Sequence, residues 1–143
     1  MDNNKNNSYD NDEEIELDVD YYRSYSIADQ YGHITEIGVY SYNFNDVERV
    51  TPGESLKAFD FATGQSPREV HIRLNSNHPM YKRFKSDENF RDLITKILSG
   101  LAIGFSKNMW HLETLNKDQY QGFIDGVDDM LKQAGVYLAT NNL

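Results

Sequence analysis

The chain lacks residues on which several common chemistries depend. It has no cysteine in 143 residues, which excludes disulfides, thiolate metal sites and cysteine nucleophiles within this sequence. It has only 3 prolines, and no apolar run approaches the roughly 20 residues needed to span a bilayer. The first 20 residues are rich in Asn and Asp, where a signal peptide would be basic and then apolar. We therefore expect a cytoplasmic protein without membrane contact.

Motifs that mark common active sites are also missing from the sequence. There is no Gly-x-x-x-x-Gly-Lys-[Ser/Thr] phosphate loop, no Gly-x-Gly-x-x-Gly and no Gly-x-Ser-x-Gly elbow. The four histidines do not have the spacing of metal ligands. Asp125, Asp128 and Asp129 follow the helical spacing of a solvated face and lack the order of an EF-hand loop. We predict no catalytic residues, no metal and no cofactor, and we favour a protein without enzymatic activity.

Acidic residues are concentrated at the start of the chain. Residues 1–20 contain eight acidic side chains and one lysine, whereas the remaining 123 residues are nearly neutral with 15 acidic and 13 basic side chains. Little apolar surface precedes Ile15 to offset the entropy cost of ordering this segment. We predict a disordered acidic leader at 1–17 and a single domain at 18–143, since this length suits one domain. The leader either serves only for solubility or attracts a basic surface.

Aromatic and β-branched residues dominate the sequence after the leader. Their density from 19 to 45 favours strands, and Asp29-Gln-Tyr-Gly32 supplies a turn in which Gly32 can adopt a positive φ. The sequence therefore predicts a hairpin with arms at about 20–28 and 33–43. Two further short strands are expected on either side of the turn residues 63–67. The second alternates, with apolar Val70, Ile72 and Leu74 facing the core and polar side chains facing away. We expect an antiparallel sheet from about 18 to 75.

Two amphipathic helices are expected in the C-terminal half. Ser86 is a candidate N-cap for a helix at about 87–105, whose apolar residues recur at i, i+3, i+4 and i+7. Asn116 is a candidate cap for a second helix at about 117–138. The two glycines of the first helix, Gly100 and Gly104, either permit close approach of another element or begin its termination. The predicted fold is α+β, with both helices packed on one face of the sheet.

The leading functional hypothesis is a noncatalytic interaction protein, such as an adaptor, a small subunit or an inhibitor. Tyrosine combines apolar area with hydrogen bonding, so a tyrosine-rich sheet face suits recognition of a protein partner, a second copy included. The structural alternative is that these rings only stabilise the sheet through cross-strand pairs. The predicted partner-binding residues come from the sheet and the leader: Tyr21, Tyr22, Tyr25, Tyr40, Tyr42, Asp12, Glu13, Glu14 and Glu16.

Two other functions are compatible with the sequence. The first is a small-ligand-binding or enzymatic domain with a cleft between sheet and helices, for which the candidate residues are His71, His78, Tyr81, Trp110 and His111. In the structural alternative, Trp110 belongs to the core and His71 to an exposed polar ladder. The second is mimicry of a nucleic acid by the acidic leader, while direct binding of nucleic acid is disfavoured by the negative charge.

One segment resembles a known family. The sequence Val70-His-Ile-Arg-Leu-Asn-Ser-Asn-His-Pro-Met-Tyr81 and the following helix, within residues 69–105, look like a strand, Asn-x-x-His-Pro-x-Tyr and helix segment of some histidine-kinase-like (GHKL) ATPase proteins. In that family the segment lies outside the nucleotide pocket. This chain has no Asp-x-Gly-x-Gly or Gly-x-Gly-x-Gly sequence to match the family's pocket. The resemblance therefore implies an accessory or transducer-like α+β unit and does not carry ATPase activity to this chain.

Overall fold

A computed structural model describes residues 20–44 and 57–140. These residues form four strands and three helices, which confirms the α+β class. The elements in chain order are β1 (Tyr22–Ala28), β2 (Ile34–Tyr42), β3 (Phe59–Thr63), β4 (Glu69–Asn75), α1 (Pro79–Ser86), α2 (Glu88–Leu115) and α3 (Lys117–Thr140). The predicted leader at 1–17 lies outside the described residues.

The predicted hairpin is confirmed as the pair β1 and β2. Asp29 organises the turn, because its Oδ1 accepts hydrogen bonds from the backbone N–H groups of Tyr31 and His33, both at 2.9 Å. Gly32 has a φ of 83°, in the left-handed region that side chains other than glycine rarely adopt. The turn therefore forms where its sequence predicts it.

The sheet is mixed, so the prediction of a purely antiparallel sheet was wrong. The strand order is β1-β2-β4-β3, in which β2 and β4 are parallel and the other two pairs are antiparallel. Each strand runs opposite to the one before it in the chain, but β2 and β3 are not neighbours in the sheet because β4 lies between them. The parallel pair arises because β4 takes a central position and leaves the shorter β3 at the edge. The apolar side chains of β4 are all 0% exposed: Val70, Ile72 and Leu74. This position gives the most apolar strand the most burial.

The hydrophobic core lies between one face of the sheet and the helices. Pairing places Ile37 beside Val70 and Val39 beside Ile72, so the apolar side chains of the two central strands form one layer. Phe84 of α1, together with Leu98 and Ala102 of α2, packs onto this layer, and all three are almost fully buried. The helices cover this face alone, and the residues that alternate with it point to the opposite side.

The first predicted helix forms as α2, and a helix that was not predicted, α1, precedes it. His78 caps α1, since its Nδ1 accepts the N–H of Met80 at 3.0 Å and Pro79 occupies the first turn, where its missing N–H costs nothing. Asp87 then takes an extended conformation and caps α2 by accepting the N–H of Phe90, so Ser86 is not the cap. The predicted end near residue 105 was also wrong, because buried contacts of Ser106 and Met109 continue α2 to Leu115.

The second predicted helix forms as α3. Asn116 Oδ1 accepts hydrogen bonds from the N–H groups of Asp118 and Gln119 at 2.9 and 3.1 Å, which confirms the predicted cap. Helix α3 packs beside α2 and reaches the edge strand β3. In the described part of the chain, no helix combines the length and apolar character needed to cross a membrane.

Candidate interaction surface

The sheet has one face that the helices do not cover, which we call the open face. Its residues are those that alternate with the core positions, so the pleat of the strands brings them together from four separate stretches of sequence. The side chains that define it are Tyr22, Tyr40, Tyr42, Asp60, Glu69, His71 and Arg73.

Aromatic rings form a row across the open face. Tyr22 and Tyr40 are cross-strand partners whose rings stack with centroids 6.4 Å apart. The ring of Tyr40 then meets the edge of the His71 ring at a centroid distance of 5.7 Å. Tyr22, on the outer strand, is 62% exposed, whereas Tyr40 is half-buried. Three aromatic residues on three adjacent strands therefore present a continuous surface from the sheet edge to its centre.

A second group on the open face is built around Arg73. Its Nε and Nη2 donate to Asp60 Oδ1 and Oδ2 at 2.8 and 2.7 Å, a bidentate ion pair between neighbouring strands. The guanidinium carbon lies 4.6 Å from the ring centroid of Tyr42. The hydrogen bonds to Asp60 raise the pKa of Arg73 above its ordinary value. This arginine is thus charged and held in one orientation, with its remaining N–H groups available as donors.

His71, the last member of the aromatic row, is held in place by its neighbours. Its Nε2 lies 3.1 Å from Glu69 Oε2, while its ring packs against the backbone of Gly38. A Cβ added at Gly38 would lie 3.2 Å from His71 Nδ1, so glycine gives the ring its place on the sheet. Nδ1 itself is buried and has no hydrogen-bond partner in the described ranges. The imidazole is therefore an ordered part of the surface.

The chemistry of the open face suits binding. Burial raises the pKa of the Tyr40 hydroxyl above its ordinary value, so this group stays protonated at neutral pH and can donate a hydrogen bond. The ion pair between Asp60 of the edge strand β3 and Arg73 of β4 balances the two formal charges against each other. Tyrosine side chains and a fixed guanidinium are among the groups that contribute most to binding energy at protein interfaces.

Two of the predicted tyrosines lie on the other face of the sheet, which corrects their assignment to a common surface. The ring of Tyr21 packs edge-on against Phe84 beneath the helices. The hydroxyl of Tyr25 is hydrogen-bonded to Ser99 of α2. The physical reason is that successive side chains along β1 point to opposite faces of the sheet. Tyr21 and Tyr25 therefore point toward the helices, and Tyr22 points away from them.

The candidate cleft residues do not come together in the structure. His71 lies on the open face, whereas His78 is buried under the helices with its Nε2 2.9 Å from the carbonyl oxygen of Gly135 in α3. Trp110 is half-buried and His111 exposed, both in the C-terminal part of α2. Trp110 Nε1 is buried without a hydrogen-bond partner among the residues described. These four side chains therefore do not share one concave site.

One pair from that set does share a groove. His78 and Tyr81 line a depression of about 530 Å³ beside α1, together with Asp20, Lys82 and Lys85. Asp20 accepts hydrogen bonds there from Lys85 Nζ at 2.7 Å and from the Tyr81 hydroxyl at 3.2 Å. The bond from Lys85 lowers the pKa of Asp20. The polar groups at the mouth of this groove thus bind one another.

Sequence reasoning missed that Asp60, His71 and Arg73 belong with the tyrosines. The alternation of β4 indicated that His71 and Arg73 face away from the core, but it did not indicate which strands lie beside them. The parallel pairing of β2 with β4 sets Tyr40 beside Arg73, and the register of β3 adds Asp60. The leader residues Asp12, Glu13, Glu14 and Glu16 lie outside the described residues, so their predicted role stays a prediction.

Comparison with known proteins finds no match for this chain among protein-family models, curated proteins or solved structures. In the described ranges, no group of three or more potential ligand side chains is placed to hold a metal ion. Asp128, one of the three aspartates with helical spacing, binds Lys57 at 2.6 Å and Lys132 at 3.1 Å. The geometry of the open face is thus the basis for an assignment of function.

Proposed function

We propose that this protein is a noncatalytic interaction module that binds a partner protein through the open face. The observation that carries the proposal is the preformed arrangement of rings and guanidinium on strands whose other face is fixed by the core. Tyrosine and arginine are enriched among the residues that dominate binding energy at interfaces.

Order in the unbound protein favours affinity. The Arg73 side chain is held by Asp60 and Tyr42, and the His71 ring by Glu69 and Gly38. Binding then orders few additional rotamers, each of which would otherwise cost roughly 0.5–1.5 kcal/mol. A partner that presents apolar surface with hydrogen-bond acceptors matches the rings, hydroxyls and N–H donors of this surface, and a donor on the partner can reach the partly exposed carboxylate of Glu69.

Paired variants test this proposal. Tyr22→Ala and Tyr40→Ala each remove one ring from the open face, while Tyr31→Ala removes a ring that is 74% exposed in the hairpin turn and serves as the control. Proteins captured from the native host by wild type and by each variant are compared by quantitative mass spectrometry. The captured protein is then purified and titrated with all four chains by calorimetry.

We expect Tyr40→Ala to weaken binding at least about tenfold, which corresponds to about 1.4 kcal/mol, and Tyr31→Ala to leave the affinity unchanged. Far-UV circular dichroism and urea unfolding establish that each variant is folded. The proposal fails if every captured protein binds the open-face variants as tightly as it binds wild type.

A further inference from the structure

The outer surface of the helix layer is more apolar than a solvated surface requires. On α2, three large side chains separated by four residues point away from the sheet: Leu93 is 58% exposed, and Ile97 and Leu101 are each 49% exposed. Met130 of the adjacent helix α3 is 51% exposed on the same layer. Contiguous exposed apolar patches of this kind mark interaction sites. We propose that this surface, which we call the helix face, binds a second copy of the chain across a twofold axis.

The area of the helix face matches the need of a stable dimer. Helices of 28 and 24 residues are about 42 and 36 Å long at 1.5 Å per residue. Two such helices packed side by side, roughly 9 Å between axes, give a layer about 20 Å wide. The projected surface is therefore on the order of 800 Å², which is what each partner of a standard-size interface buries.

The sequence of α2 is complementary to itself when two copies run antiparallel. The outward seam contains Leu93, Ile97, Gly100 and Gly104, which follow the alternating four- and three-residue steps of a helix-pairing repeat. With the twofold axis between residues 98 and 99, Leu93 lies opposite Gly104 of the second copy and Ile97 opposite its Gly100. Each large side chain thus meets a residue without a side chain.

Packing among the described residues does not account for the two glycines. A Cβ added at Gly100 or Gly104 would meet no atom of those residues within 4 Å. Glycine weakens a helix interior more than any residue except proline. Because there is room for a side chain at both positions, packing among the described residues does not explain why they are glycines. Close approach of another helix, which a Cβ would prevent, supplies a reason.

One pair of opposite charges at the border of the seam agrees with the antiparallel arrangement, whereas exposed Lys96 on the same side of α2 comes near its own copy and adds no favourable pair. Asp92 and Lys107 are exposed on the same side of α2. In the proposed register, Asp92 lies two residues, or about 3 Å along the axis, from Lys107 of the second copy. Lys107 Nζ lies 3.6 Å from Asp29 Oδ2, and its side chain is 60% exposed, so it can reach an added carboxylate. The twofold axis generates this pair twice.

The first experiment measures the oligomeric state of the full chain by sedimentation equilibrium over a range of concentrations. We expect a dimer for wild type. Gly100→Gln should raise the dissociation constant at least about tenfold, because the added side chain separates the helices. Its thermal unfolding at concentrations where both proteins are monomeric should occur at an equal or higher temperature. The control is Ala28→Gln, which adds a side chain of nearly the same size at an exposed position of β1, away from the helix face.

The second experiment tests the register, and the absence of cysteine makes it direct. Chains carrying Leu93→Cys and chains carrying Gly104→Cys are mixed and oxidised. We expect disulfide-linked heterodimers, whereas Leu93→Cys alone should not cross-link, because its two copies would be about 16 Å apart along the axis. A wild-type chain that stays monomeric, a dimer that tolerates Gly100→Gln, or efficient cross-linking of Leu93→Cys to itself would each overturn the proposal.

Discussion

His78 provides the sharpest test of how the sheet is joined to the helices. The ring is 2% exposed and makes two hydrogen bonds, one that caps α1 through Nδ1 and one in which Nε2–H donates to the Gly135 carbonyl of α3. The bond to Gly135 requires a proton on Nε2, and the cap requires that Nδ1 carry none, so the ring that makes both bonds is neutral. Burial lowers the pKa of His78 below its ordinary value. The folded state therefore disfavours protonation at this position.

Two substitutions separate the two bonds. His78→Asn keeps a side chain that caps helices well but does not reach α3, so it loses one hydrogen bond and some packing, at a cost of about 1–2 kcal/mol. His78→Ala also loses the cap, which adds about 1 kcal/mol. We expect urea unfolding at pH 8 to rank wild type, His78→Asn and His78→Ala in decreasing stability.

The pH dependence has a definite sign. Because the pKa is lowered on folding, the unfolded chain binds a proton that the folded chain does not, and stability falls as the pH falls below about 6.5. The contribution of the neutral ring is complete above that pH. The stability advantage of wild type over His78→Asn should thus shrink between pH 7.5 and 5, while the other three histidines act alike in both proteins. An advantage that is constant or grows as the pH falls would refute this account of the site.

Two further outcomes follow from single contacts. A double-mutant cycle with Asp60→Ala and Arg73→Ala, followed by urea unfolding, should give a coupling energy of about 1–2 kcal/mol. The reason is that the ion pair is bidentate and partly buried. If the effects of the two substitutions on the unfolding free energy are additive, the pair contributes nothing to stability. Asn116→Ala should lower the unfolding free energy by about 1 kcal/mol, because the α3 cap is lost. The control, Asn89→Ala at an exposed position in α2, should not lower it. Equal losses of stability in the two variants would mean that replacing any asparagine has this effect and that the cap does not cause it.

Local features of the fold could be predicted from the sequence because their causes are local. The turn at Asp29 and Gly32, the alternation of β4 and the cap at Asn116 each depend on residues within a few positions of one another. The end of α2 could not be predicted in this way. Its glycines were compatible either with close approach of another element or with termination. The buried positions of Ser106 and Met109 against the rest of the fold outweigh the cost of the glycines and continue the helix.

The open face shows the same division. Sequence alternation determined that His71 and Arg73 point away from the core, and the density of tyrosine determined that rings would line the sheet. Which rings share a face was decided by the pairing of strands far apart in the chain. Because β4 lies between β2 and β3, Tyr40, Tyr42, Asp60 and Arg73 form one surface. The sequence alone thus determined the four strands, two of the three described helices and their inward sides. The tertiary structure decided which strands are neighbours, since strand order depends on burial of the whole apolar layer at once.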